Sequence, residues 1–223
     1  SQNQKVDTLT AIYNDTRKFL ETKQPNQPDT LELRLVKGII RKGEASAGAR
    51  FAGLSDKQIH FMDLPFYDRS KTSKTISYED DILQTMDLLQ AIKPHQVFAA
   101  GDFADPHGTH KICFNILLEA IYRLRKTEEW TKDCWLWLYR GAWHEFEIDE
   151  IEMAVPLSPQ ELEKKRNAIF KHQSQKDRPV FPGDDAREFW VRAEERNRDT
   201  AIQYDLLGLA NYEAMEAFVR WKF

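Results

Sequence analysis

Residues 96–126 read QVFAAGDFADPHGTHKICFNILLEAIYRLRK. The first part, Gln96 to Ala100, is a short apolar run of the kind that is covered on both faces in a parallel sheet. A polar loop from Gly101 to His110 follows, and Gly108 or Thr109 then opens a helix from Lys111 to Lys126. Its apolar residues Ile112, Ile116, Leu117, Ala120, Ile121 and Leu124 recur at helical spacing. A buried strand, a loop and an amphipathic helix make half of a β-α-β unit.

Working outward, Cys134 to Tyr139 supplies a second apolar strand. Upstream, a helix starts at Ser77 or Glu79 with Ile82, Met86, Leu89 and Ile92 aligned, and Lys93-Pro94 stops it. Gln58 to Pro65 predicts another strand. Before it, Asp29 or Thr30 caps a helix carrying Leu31, Leu35 and Ile39 that closes in the small residues Ala47, Gly48 and Gly53. Residues 1–30 read as a helical extension, Val6 to Thr22, and a proline-broken link. Downstream, Phe146 to Val155 alternates apolar with acidic residues and predicts an edge strand with one wet face. Ser158-Pro159-Gln160-Glu161 is a capping sequence for a helix to about His172. A charged helix from Asp185 to about Tyr204 is expected to show a solvated face around Arg187 to Arg198. Tyr212 to Trp221 reads as a short amphipathic close. The alternation predicts one domain over residues 1–223 of α/β class, a three-layer Rossmann-like, mostly parallel sheet with helices on both faces.

Composition narrows the function. The chain has 223 residues and a formal charge of −4, with 41% hydrophobic and 30% charged residues. That is an ordinary globular balance, and at this length roughly 70% of the unfolded surface can be buried. The slight acidity and the lack of a Lys/Arg run argue against a nucleic-acid partner. No apolar stretch approaches the ~20 residues that span a bilayer, and the N-terminus lacks a secretory pattern, so no membrane partner and a cytoplasmic location are expected. Cys113 and Cys134 sit in apolar contexts without CxxC spacing and are expected as buried thiols.

In an open parallel sheet, ligands bind beyond the carboxyl ends of the strands. Beyond Ala100 lie Asp102, Asp105, His107 and His110, two carboxylates and two imidazoles within one loop. His107 and His110 are three apart at a helix start and can face one pocket. Imidazole is the commonest zinc ligand and the commonest acid or base near neutrality. The competing reading is structural, with His107 as a helix cap and Asp102 and Asp105 holding a turn.

The strand, the Asp-Pro-His-Gly-Thr-His loop and the next helix resemble the second signature of the zinc-dependent de-N-acetylases of the LmbE/PIG-L group, whose usual form is His-Pro-Asp-His. Arg41-Lys42-Gly43-Glu44, Phe61-Met62-Asp63-Leu64-Pro65, Lys171-His172-Gln173-Ser174-Gln175 and Tyr212 to Phe218 resemble further family segments in the required order, so the resemblance spans residues 31–220. It implies that His110 is a zinc ligand and that His107 stabilises the oxyanion of a tetrahedral intermediate. Arg41 and Asp68 match positions that contact the sugar in some members, although Arg41 could equally pair with Glu44 three residues on. Asp102, Asp105 and Thr109 would support the loop.

Two departures stand out. Thr109 replaces the signature's Asp, and the family's N-terminal His-Pro-Asp-Asp-Glu loop, which carries the other ligands and the general base, is absent. The zinc site is therefore expected to be incomplete, and the chain to be the C-terminal part of a longer protein, inactive alone. The segments from Gly38 to Ala45 and Leu64 to Tyr67 resemble the subgroup attached to the C-terminus of bacterial glucosamine-6-phosphate deaminase (NagB-type) proteins. The expected activity is removal of acetyl from an N-acetylated amino sugar or sugar phosphate in amino-sugar metabolism. Two other readings use the same residues: a non-catalytic sugar-binding or interaction module, and a glycosidase using Asp102 and Asp105.

Overall fold

The computed structural model describes residues 2–25, 27–66, 78–103, 108–141, 145–176 and 187–223, with the side chains of residues 2–9 left aside. In chain order these form α1 (Gln2–Thr22), α2 (Leu31–Ala52), a 3-10 turn (Asp56–Gln58), α3 (Glu79–Ile92), β1 (Gln96–Ala100), α4 (Thr109–Leu124), a second 3-10 turn (Glu129–Asp133), β2 (Trp135–Tyr139), β3 (Met153–Leu157), α5 (Pro159–Ile169), α6 (Phe189–Leu206) and β4 (Ala214–Trp221). No helix among them is long and apolar enough to cross a membrane.

The strands make one open sheet in the order β1-β2-β4-β3. The α/β class expected from the sequence is the class found, and β1, α4 and β2 form the parallel unit that residues 96–139 predict, with Val97 opposite Leu136 and Ala99 opposite Leu138. The other two ladders are antiparallel, Leu138 opposite Val219 and Ala154 opposite Ala217. Chain reversals explain the difference. One helix between two strands returns the chain to its original direction, whereas the two helices between β3 and β4 leave the second strand running the opposite way. The expected close at Tyr212 to Trp221 is this strand, whose side chains alternate faces with period two.

Three further expectations change. Gln58 to Pro65 forms no ladder: Ser55 and Gln58 cap a 3-10 turn, and Asp63 takes a left-handed φ of 47° that interrupts an extended run. The edge strand is shorter and later than expected, at Met153–Leu157. The α6 helix is solvated on one side only: Glu195 and Arg198 keep exposed side chains, whereas Arg192 and Asn197 are buried. The proline-rich loop 179–183 lies outside the described residues. Both helix caps hold: Leu33 N–H donates to Thr30 Oγ1 at 3.3 Å, and Ser158 and Glu161 form a reciprocal capping box.

One sheet face carries Ala99, Leu136, Leu138 and Ala217, and packs with Ile82 and Leu89 of α3 and Phe114, Ala120, Ile121 and Leu124 of α4 into the main core. Phe114 meets Trp221 edge to face at 5.0 Å. Buried Asp81 accepts the Phe66 N–H at 2.9 Å and fastens that segment to α3. On the opposite face Glu216 of β4 bonds to α5 and α6, and α2 stacks outside α5. Toward β1 this second face is open, with Phe98 and Trp135 exposed. Cys134 is buried and Cys113 half-buried, both thiols free and both held above the usual thiol pKa chiefly by burial.

Candidate functional site at the carboxyl rim of the parallel strands

Beyond β1 the chain turns through Gly101, whose N–H donates to the Tyr139 carbonyl at 2.8 Å. A Cβ on Gly101 would lie 2.8 Å from Leu138 Cβ, so only glycine lets the two strand ends approach this closely. That approach seats Asp102 at the rim, fully buried, with neither carboxylate oxygen hydrogen-bonded among the described residues. Gly141, at the end of β2, faces it: a Cβ there would meet Asp102 Oδ2 at 3.3 Å. A buried carboxylate without partners is costly, and a position that keeps one calls for a function or for partners beyond the described residues.

Gly108 caps α4 with a left-handed φ of 66°, and Thr109 and His110 are the first two residues of the helix, both half-buried. Asp105 and His107 lie outside the described residues, as does Asp68. Arg41 stands elsewhere, on the exposed side of α2, in a cavity of about 620 Å³ lined by Lys42, Phe61, Asp63 and His172. The structure therefore joins Asp102 to the strand ends and puts His110 in the helix that follows, but gives Arg41 a separate hollow.

Contacts that the sequence did not signal connect the two regions. Arg196 of α6 donates to the Gly141 carbonyl, pairs with Glu145 at 3.1 Å, and reaches Glu216 at 3.5 Å. Glu216 accepts from Lys165 of α5 at 2.5 Å, and Lys165 also donates to Asn197 Oδ1 at 2.7 Å. Lys165 in turn lines a cavity of about 360 Å³ with His172, which also lines the Arg41 cavity. Burial pushes the Lys165 ammonium down and the Glu145 carboxyl up, partly offset by Glu216 and Arg196 respectively. Tyr139 is likewise raised, by burial first and Glu216 second. Charges spread along one helix gave no hint of this network, because Glu145, Lys165, Arg196 and Glu216 come from four different segments.

Among the described residues no three His, Cys, Asp or Glu side chains gather to hold a metal ion.

No protein-family model matches the chain. A curated relative from Bacteroides thetaiotaomicron, named as a glucosamine-6-phosphate deaminase-like protein, is 51% identical over 211 residues, covering 94% of this chain and 32% of its own length. Among solved structures, GalB, the 4-carboxy-2-hydroxymuconate hydratase of Pseudomonas putida KT2440, aligns with a TM-score of 0.59 at 14% identity, over 89% of this chain and 77% of that one. The second likeness is one of fold alone. The chain thus has the α/β fold its sequence predicts and spans about a third of the curated relative it matches.

Proposed function

We propose that this chain is the amide-hydrolysing domain of a longer protein of amino-sugar metabolism, and that it removes acetyl from an N-acetylglucosamine-type substrate. What carries the reading is Asp102, a buried carboxylate without a partner among the described residues, held at the carboxyl rim of the parallel strands. That rim is where this architecture binds ligands. The relative's name, the glucosamine-6-phosphate deaminase-like protein, supplies the amino-sugar context. The motif resemblance from Arg41 to Phe218 supplies the reaction class.

In this reading a water oxygen adds to the acetyl carbonyl carbon, the carbon–nitrogen bond breaks, and the amine leaves with a proton, giving acetate and a free amino sugar. His107 donates a hydrogen bond to the oxygen that gains charge. Asp102 places a carboxyl group at the strand ends, and Arg41 and Asp68 contact the substrate away from its acetyl group. Zinc belongs to the longer protein, which would complete a site around His110; a bound zinc ion lowers the pKa of its water and polarises a carbonyl.

The test is acetate release from N-acetylglucosamine and its 6-phosphate by the longer protein, with zinc content measured in parallel. The parent is expected to release acetate and to hold zinc, and His110→Ala to lose both. Zinc content and turnover unchanged in His110→Ala would refute the role of His110. Absence of both in the parent would favour a binding module that kept the fold.

A further inference from the structure

The two cavities beside α2 share a wall. His172 and Gln175 line both, Lys165 and Gly48 close one side, and Arg41 and Lys42 close the other. The result is a trough between α2 and the end of α5, with imidazole, guanidinium and ammonium groups along its length.

Its walls are built rather than incidental. The Ser174 N–H and hydroxyl donate to Glu44 at 2.7 and 2.6 Å, tying the turn after α5 to α2 across 130 residues of sequence. Gly48 lets the helices close, since a Cβ there would lie 3.3 Å from His172 Nε2. These contacts fix the turn after α5 against α2 beside His172.

The charges are unevenly committed. Each carboxylate beside the trough is already engaged: Asp63 by Lys42 at 2.5 Å, Glu44 by Ser174, and Glu216 by Lys165. Arg41 makes no hydrogen bond or salt bridge to a described residue, its charge adding to the Ser174 hydrogen bonds that lower the Glu44 pKa, and the Lys42 ammonium, 5.6 Å from the Phe61 ring, keeps donors beyond the one given to Asp63. A planar guanidinium fork beside a lysine and an imidazole suits a tetrahedral oxyanion. The cavity of about 620 Å³ also has an apolar side, Phe61, Met62 and Leu64, against which a sugar ring can lie.

We propose that this trough is a phosphate subsite that selects a phosphorylated amino sugar over the unphosphorylated one, with Lys42 and His172 joining Arg41 on the phosphate. The assignment rests on the amino-sugar reading above and names the form of the substrate.

The experiment is an NMR titration of the whole chain with N-acetylglucosamine 6-phosphate, N-acetylglucosamine and inorganic phosphate as separate probes. The phosphorylated sugar should bind at least ~10-fold more tightly than the other two, with shifts at the amides of residues 38–45 and 172–175. Lys42→Gln and His172→Gln should each remove about tenfold of that affinity, while Arg50→Gln, paired with Asp56 on the surface, should change nothing. Lys42 is half-buried on a helix face, so its variant decides the matter should His172→Gln fail to fold.

Equal affinity for the sugar and its phosphate would overturn the proposal. So would inorganic phosphate binding as tightly as the sugar phosphate, or Lys42→Gln binding like the parent. The preference is read without turnover, which separates the two claims. Its loss alongside intact acetate release refutes the subsite only, and its presence without acetate release refutes the deacetylase only.

Discussion

Gly101 decides the geometry of the rim. Any side chain there would press on Leu138 Cβ at 2.8 Å, against a strand rather than a flexible tip. Gly101→Ala should therefore destabilise the chain by ~1–3 kcal/mol in urea unfolding, with an unchanged m-value. Gly43→Ala, whose Cβ would meet nothing within 4 Å, should be neutral or slightly stabilising. Comparable losses from the two substitutions would contradict the packing described for β1 and β2. At this scale the sequence was legible where chemistry and chain position coincide: Asp102 stood out as a carboxylate just past a buried strand. Glu216 and Arg196 did not, because a lone charge shows its partners only after distant strands and helices come together.

At the scale of elements, the connection between α1 and α2 rests on one carboxylate. Asp29 accepts from Lys23 at 2.5 Å and from Lys37 at 2.7 Å, and the Lys23 hydrogen bond, followed by that of Lys37, holds its pKa at about 2, below the ordinary value of 3.8. Because the folded pKa is depressed, this contribution is fully present above pH 3.8 and is lost as the pH falls toward about 2. The lysines are partly exposed, so solvent screening limits it to roughly 1 kcal/mol. Asp29→Asn should remove that increment at neutral pH and flatten the acid limb of the stability curve. An NMR titration placing Asp29 near 3.8 would contradict the ion-pair geometry.

Elements were legible in proportion to their local signals. The caps at Thr30 and Ser158 and the heptad-like face of α4 are written within a few residues of sequence. The direction of β4 is not, because it depends on how many helices intervene between strands. The run from Gln58 to Pro65 has strand-like composition but no neighbour in the described sheet, and composition cannot supply one.

For the whole molecule, the account is of an α/β sheet whose parallel half presents at its rim a buried carboxylate without a partner among the described residues, with a basic trough beside α2. A network through Gly141, Arg196, Glu216 and Lys165 joins the two. The class of fold followed from alternation of helices and strands, and the rim from the rule for parallel sheets. The network and the trough required tertiary structure. Asp102 tests the central claim most directly, because Asp102→Asn preserves shape and replaces the carboxyl group with an amide. Measured as acetate release from N-acetylglucosamine 6-phosphate by the longer protein, the variant should retain its thermal unfolding transition and its KM while kcat falls at least ~10-fold. Turnover equal to that of the parent would place the chemistry elsewhere and contradict the account.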